Sequence, residues 1–489
     1  MRFVIIGAGI SGLACAYFLK RGGHDVVVVE KSEEKGRCWN GGLRVPPNMT
    51  RLLQELPGST ELLEGKGTPC TGFLKSFSFQ ETTYSRDLAD NHASQITGKM
   101  EFHEVIDDLG GQFYMIPHRD LHNYLLSLCT DEGVTVKYSF EVKDIITIRD
   151  KGATVISENN DHLTTDMIGK MDLVFMELTL TQVVGADGKN SIARSILLAE
   201  EFEETEHDSE ESSFIASEQN IQQIPDLNEF TGATISLPID LMKTDPELLS
   251  LLEDNHYGPN LYTIDLTYGK PAGPDNIDEN WQSESPVKSI LNHLVGYEPR
   301  YICYGEHQGI EFLEKYNLTA HPFRVQKVFR LVSSCHCSIQ KIHKLPRYVS
   351  KHEQIALIGD AAHAIVINGT HNTSCGFEDA VTLSRLFTKE NLFPSKNRSL
   401  LLSGFNHITH QRATMCEAWS IDSVSTLGAP PGPVRDGRNN FLKLTLDSNG
   451  ESDETSEQIW ASYVAQFDYD ARDAVDEWWL NWAKPNIDT

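Results

Sequence analysis

The first four strongly apolar positions of the chain, Phe3 to Ile6, are consecutive, which is the pattern of a strand buried on both faces. Leu13, Ala14, Tyr17 and Phe18 then recur at helical spacing, and Asp25 to Glu30 reads as a second strand. Strand, tight turn, helix and strand in that order predict a βαβ unit and therefore a parallel sheet. From about residue 73 to 115 the pattern changes to short alternating segments with polar breaks, which predicts a strand or two of a second unit. "HRDLHNYLLSLCTDEG" (118–133) restores helical periodicity and is followed by the strand-like "VTVKYSF", so the chain leaves the first unit and comes back to it.

Residues 199 to 213 hold eight carboxylates with one histidine and no basic residue. Such a run predicts a solvated loop, placed where the chain crosses again into the second unit. Residues from about 214 to 350 are richer in strand patterns and proline turns, and from about 396 helical periodicity is broken only by "GAPPGPVRDGRNN" and "DSNGESDETSE". The expected division is one unit built from 1–72, 116–200 and 346–395, a second from 73–115 and 201–345, and a C-terminal helical region from 396–489.

Composition adds limits. Apolar residues at 40% and charged ones at 23% are ordinary for a soluble globular chain, but the formal net charge of −28 is not. A field of that sign repels nucleic acid and anionic membrane, and a small anionic substrate needs a local arginine. No segment approaches about 18 unbroken apolar residues, so no membrane span is expected. The glycines within "MRFVIIGAGISGLACAYFLKRGG" argue against a secretory signal. Nine cysteines, without a CxxC pair or metal spacing, point to a reducing, cytoplasmic setting and to no metal site. Their one cluster, Cys335-His336-Cys337, reads as an edge strand with incidental thiols.

Three stretches carry chemistry. "GAGISG" sets glycines at 7, 9 and 12 between the first strand and the first helix, with Glu30 ending the second strand about 20 residues on. Those glycines allow a tight turn, close approach of backbone to a pyrophosphate and close packing of helix on strand, while a carboxylate at that distance accepts ribose hydroxyls; together they predict dinucleotide binding. "QVVGADGKNSIAR" (182–194) delivers a strand into a polar turn with two glycines. "ALIGDAAHAIVINGTHNTSCGFEDAV" (356–381) runs from an apolar strand through Gly359-Asp360 into a loop and then a helix.

In that order and spacing the three stretches resemble the signatures of the group A flavoprotein monooxygenases, the aromatic-hydroxylase family. "GGLRVPPNMTRLL" (41–53) is similar to its salicylate-hydroxylase-like members, and "GAPPGPVRDG" and "YDARDAVDEWW" are similar to its fungal branch. The resemblance covers most of the chain and is weakest from about 200 to 340. It implies an α/β fold: a Rossmann-like FAD-binding domain of glutathione-reductase type, an interleaved α+β, sheet-containing substrate domain, and a C-terminal helical segment. It implies FAD, with NADPH or NADH as a transient co-substrate, and insertion of one oxygen atom from O2 into a phenolic or other electron-rich ring through a flavin hydroperoxide, in fungal secondary metabolism or aromatic catabolism. Epoxidation, ring expansion of a prenylated phenol, and a flavin-binding protein without oxygenase activity remain open. The partners implied are the small aromatic substrate, NAD(P)H and O2, with a monomer or homodimer as the assembly.

The cofactor-binding positions implied by the resemblance are Gly7, Gly9, Ser11, Gly12, Glu30, Lys31, Gly42, Arg44, Arg119, Asp187, Gly359, Asp360, Thr370, Asn372 and Thr373. Glu30 takes the adenosine ribose, Arg119 lies on the flavin side and Asp360 on the ribityl and pyrophosphate region. Arg194 and His371 are the catalytic candidates, Arg194 with a bracing role as the alternative. The chain departs from the pattern where Ala364 and Ile367 replace prolines, where Thr370-His371-Asn372 replace a Gly-x-Gly turn, and where Phe230-Thr231 replace a tyrosine-arginine pair. Asn372 is the expected mild substitute for a positive-φ glycine, with Gly369 as a second place for such a turn, and Asn372, Thr373 and Ser374 are candidate N-caps of the helix that follows. His371 is new at its position: it bonds the flavin or acts on substrate near neutral pH, or it points to solvent or caps the turn.

Overall fold

A computed structural model describes residues 1–34, 42–70, 72–76, 96–101, 103–148, 152–157, 162–163, 181–205, 229–234, 239–246, 261–265, 289–294, 336–341, 344–365, 370–388, 398–427 and 453–483, with a few isolated positions between them. The opening is strand β1 (Arg2–Ile6), helix α1 (Ile10–Arg21) and strand β2 (Asp25–Val29), as the apolar pattern predicts. β1 is central in a five-stranded sheet of order Ile355–Leu357, Thr181–Gly185, β1, β2, Thr135–Lys137, and every pairing is parallel. Both faces of β1 are covered, so its four apolar side chains are all buried. Phe3 meets Phe387 edge-on, at 5.6 Å between ring centres, which ties the sheet to the end of the helix Asn372–Leu386.

Residues 72–76 and 96–101 do not join this sheet. They lie in a six-stranded sheet of order 336–341, 229–234, 289–294, 261–265, 72–76, 96–101. The chain therefore enters the second sheet, returns as the helix His118–Asp131 and the strand Thr135–Lys137, and enters it again. Phe230 and Thr231 sit on its strand Glu229–Thr234. His336 and Cys337 open its edge strand His336–Lys341, while Cys335 lies outside the described residues.

The acidic run is corrected in part. Its first residues, to Thr205, are not loop but the last turns of the helix Ile192–Thr205, because Ala, Leu and Glu are strong helix formers whatever their charge. Residues 206–213 lie outside the described residues. The C-terminal region supplies the long helix Arg398–Leu427, the helix Asp453–Phe467 and the short helix Ala471–Trp478; the "GAPPGPVRDGRNN" break lies for the most part outside the described residues. The last helix is capped by Asp470, whose carboxylate accepts the Arg472 N–H at 2.8 Å.

Candidate functional site

The three sequence stretches meet at the carboxyl ends of the parallel strands. The Ala186 N–H donates to the Ile6 carbonyl at 2.8 Å, the Ile358 N–H to that of Gly185 at 3.0 Å, and the Gly7 N–H to that of Val29 at 2.8 Å, so four strand ends are stitched into one rim. Within "GAGISG" the glycines do different work. Gly7 has φ +103°, and a Cβ there would lie 2.4 Å from the Ala186 carbonyl oxygen; a Cβ on Gly12 would lie 2.0 Å from that of Gly7. A Cβ on Gly9 meets nothing within 4 Å. The first and third glycines are thus required by the protein's own packing, and the second borders open space at the start of α1, whose first amides lack helix partners.

The other sequence-derived candidates are placed as follows. The Glu30 carboxylate accepts the Ala8 and Ser32 N–H groups, each at 2.9 Å, and keeps lone pairs for a further donor. Asp360 is half-buried on the turn Gly359–Ala361, and its carboxylate makes no hydrogen bond among the described residues. Arg119 is exposed in the first turn of His118–Asp131, on the helix face of His122, whose Nε2–H donates to the Ala8 carbonyl at 2.8 Å. Arg44, on the strand Gly42–Val45, reaches the Thr370 hydroxyl at 3.5 Å, and burial lowers its pKa to about 10, with Cys70 opposing. Thr373 is half-buried in the first turn of Asn372–Leu386, and Lys31 is exposed beyond β2.

Other candidates are bracing groups. Asp187 spends both oxygens on the start of Ile192–Thr205: it accepts the Ser191 hydroxyl at 2.6 Å and the Ile192 and Ala193 N–H groups at 2.7 and 3.3 Å. Arg194 is buried, and its guanidinium donates to the carbonyls of Asp360 at 3.1 Å, Ala361 at 3.2 Å and Lys189. That arrangement locks the Asp-Gly turn to the Gly-Asp turn, which is the bracing alternative for Arg194. Ser11 is wedged between Gly359 and Gly376, where added Cβ atoms would stand 2.5 and 2.1 Å from its hydroxyl oxygen.

The altered loop also differs from its sequence reading. The helix Asn372–Leu386 is preceded by His371 as N-cap, with φ −98° and no side-chain capping bond. Asn372 is the first helical residue, its amide donating to the Ile365 carbonyl at 3.1 Å. It has no positive φ; among the described residues of this stretch that conformation belongs to Gly359, at φ +59°. Ile367 and Gly369 lie outside the described residues.

His371 neither faces solvent nor titrates near neutrality. It is 1% exposed, between Trp419 and Phe467 at 5.7 and 5.4 Å between ring centres, and among the described residues neither ring nitrogen has a partner at hydrogen-bond geometry, the Gln466 side chain being a polar neighbour only. Burial first, then the Arg412 charge, lowers its pKa to about 3, against a smaller opposing contribution from the Gln466 side chain. The unfolded chain binds a proton here at about 6.5, so this stability is complete above pH 6.5 and is lost as pH falls toward 3. We expect the denaturant midpoint to fall between pH 6.5 and 4.5, and His371→Phe, which fits between the same rings, to flatten that slope by up to about 1.4 kcal/mol per pH unit.

Sequence reasoning missed the groups beneath the loop. Glu378 and Arg412, 2% and 4% exposed, form a buried bidentate pair at 2.9 and 3.3 Å. The Asn48 amide also donates to Glu378, Arg412 donates to the Gln466 carbonyl at 3.2 Å, and the guanidinium lies 4.2 Å from the Tyr469 ring centre. One pair thus joins the helices Pro47–Gln54, Asn372–Leu386, Arg398–Leu427 and Asp453–Phe467. Asp379, next along the same helix, accepts the Gly359 N–H at 2.9 Å and the His363 Nε2–H at 2.6 Å. The readable signal was a glycine and two carboxylates inside a helix, residues that a solvent-facing helix gives no reason to bury. Among the described residues no group of three or more His, Cys, Asp or Glu side chains is arranged to hold a metal, and no helix is long and apolar enough to cross a membrane.

Comparison with known proteins agrees with this geometry. The family described as FAD dependent oxidoreductase (DAO) matches residues 2–170. Hispidin-3-hydroxylase of Neonothopanus nambi is 25% identical over 406 residues, 79% of this chain and 80% of that protein. Among solved structures, FqzB superposes with a TM-score of 0.65 at 16% identity, covering 100% of this chain and 94% of that one. A salicylate hydroxylase substrate complex does so with a TM-score of 0.59 at 18% identity, covering 97% of each chain. These two likenesses establish the fold. With the glycine rim, its acid and the Gly-Asp turn in place on that fold, residues 2–170 match the FAD-dependent oxidoreductases, and the chain is similar to flavoprotein hydroxylases of the group A monooxygenase type.

Proposed function

We propose that this protein uses NAD(P)H and O2 to insert one oxygen atom into a phenolic or similarly electron-rich aromatic ring. The observation that carries the reading is the open space beside Gly9 at the start of α1, with Glu30 bonded to the adjoining Ala8 N–H, Arg119 on the helix whose His122 bonds the Ala8 carbonyl, and an Asp360 carboxylate without a hydrogen bond among the described residues. Those groups fit FAD: amides and a cation for the pyrophosphate, and carboxylates for sugar and ribityl hydroxyls. Bound FAD supplies the redox chemistry, accepting two electrons from the nicotinamide and activating O2. The chain's own residues bind and orient: Gly9 lets the pyrophosphate approach, Glu30 and Asp360 fix the two ends of the cofactor, and the start of Asn372–Leu386 offers positive potential to an anionic reduced ring.

The hydroxylase names of the relatives support an aromatic substrate. We read residues 1–72, 116–200 and 346–395 as the FAD-binding domain, 73–115 and 201–345 as the substrate domain, and the assembly as a cytoplasmic monomer or homodimer. Purified protein tested for NAD(P)H oxidation against phenols and prenylated phenols, with product masses read out, decides the function. A gain of one oxygen supports it and distinguishes decarboxylating from non-decarboxylating reactions; no mass gain with any substrate sinks it.

Gly9→Val separates binding from folding. Its side chain enters space empty of protein, so the apoprotein's thermal midpoint stays within about 2 °C of the parent while FAD affinity falls at least tenfold, read by flavin fluorescence. Equal FAD affinity in the two proteins would remove Gly9 from the cofactor's path.

A further inference from the structure

We infer that His363 is a positioning residue of the FAD site: paired with Asp379, which also holds the Gly359 end of the turn, it stands as a cation beside the turn that carries Asp360 and keeps that carboxylate ionised and in place. The inference rests on the reading that Asp360 contacts FAD. The ends and the carbonyls of the turn are tied down. One Asp379 oxygen accepts both the Gly359 N–H at 2.9 Å and the His363 Nε2–H at 2.6 Å, so a single atom holds the turn's first residue and the residue just beyond its end. The Ala362 and His363 N–H groups both donate to the Gly359 carbonyl at 2.9 Å, and Arg194 takes the carbonyls of Asp360 and Ala361. The Asp360 carboxylate is left without a hydrogen bond among the described residues, on a turn whose carbonyls and flanking residues are held in place.

A half-buried carboxylate in that position tends to take up a proton. Burial does raise the Asp360 pKa, and the opposing charges are His363 first, then Lys189 and Arg194. For His363 burial works against the charge, but the charge and hydrogen bond of Asp379, followed by Asp360, raise it to about 9. The remaining neighbours do not replace this cation. The Tyr348 ring lies 5.6 Å away, with its hydroxyl's pKa raised by burial; His410 stands on the Tyr348 ring at 5.0 Å; and Glu417, whose own pKa burial raises, faces the cluster from Arg398–Leu427. A group with a raised folded-state pKa gives its stabilisation fully below about pH 6.5 and loses it as pH rises through about 9.

The test is FAD affinity of the full-length apoprotein between pH 5 and 10.5, for the parent and His363→Gln, which keeps an N–H donor without the charge. In the parent, affinity is flat around neutrality and weakens about tenfold per pH unit above 9. In H363Q that alkaline limb is absent, the acid limb set by Asp360 moves up by at least one pH unit, and affinity at pH 7.5 is at least tenfold lower. A parent profile flat to pH 10.5, or an H363Q profile with both limbs unmoved, overturns the inference; the second outcome reports a structural role or titration of FAD itself. The parent profile alone suffices if H363Q fails to fold. No turnover is needed, so failure to oxygenate any phenol and failure of this inference are separate results.

Discussion

Replacing Glu378 by alanine lowers the unfolding free energy by about 3–5 kcal/mol, because it leaves the Arg412 guanidinium charged, buried and without its main acceptor. Burial works against that charge, and Glu378 more than compensates, holding the Arg412 pKa above its ordinary value. The loss belongs to the stranded charge, so Glu378→Leu with Arg412→Met recovers most of it. Denaturant unfolding of the two single variants and the double closes the cycle. If the double variant is as unstable as the sum of the singles, the two side chains act independently and the pair is not the join between the four helices.

Replacing Gly376 by alanine costs about 2–3 kcal/mol although alanine is the better helix former by about 1 kcal/mol. The new Cβ would stand 2.1 Å from the Ser11 hydroxyl oxygen and 3.1 Å from the Gly359 Cα, so α1 and Asn372–Leu386 must separate. Ser11→Ala removes the nearer atom and leaves its Cβ at 3.2 Å, within reach of a small adjustment. The double variant therefore regains more than half of the loss, while Ser11→Ala alone changes stability by less than about 1 kcal/mol. Thermal unfolding of the apoproteins measures this without the cofactor; an undamaged G376A would mean that the helices have slack at this crossing.

What could be read in the sequence followed from periodicity and from the geometry of glycine. A short continuous apolar run before a glycine turn reads as a doubly covered strand, and of the three glycines at that spacing the first and third answer steric demands in the structure while the second borders open space. The interleaving of the two sheets was legible because apolar alternation stops and resumes. The site's interior was less so. Asp187, Arg194 and Ser11 read as cofactor or catalytic groups because a motif records position without recording what else a side chain touches; in the structure each also contacts neighbouring backbone or packs against it. The pairing of Glu378 with Arg412 spans 34 positions and that of Asn48 with Glu378 spans 330, distances over which one sequence carries no pairing signal. His371 looked like exposed chemistry because its loop is polar, and the aromatic rings that bury it arrive from helices far along the chain.

The order of strands in the parallel sheet also bears on synthesis. Its first four strands are complete by Gly185, but the fifth, Ile355–Leu357, follows only after the whole second sheet has been made. Until then the strand Thr181–Gly185 presents an open edge, and α1 lacks the helix that packs on its Ser11 face. A nascent chain of this protein thus carries an apolar, unpaired strand for many seconds at ordinary translation rates of roughly 5–20 residues per second. FAD can help only once the Gly359 turn has emerged, so the demand for chaperones falls in the interval before the cofactor has a complete site to enter.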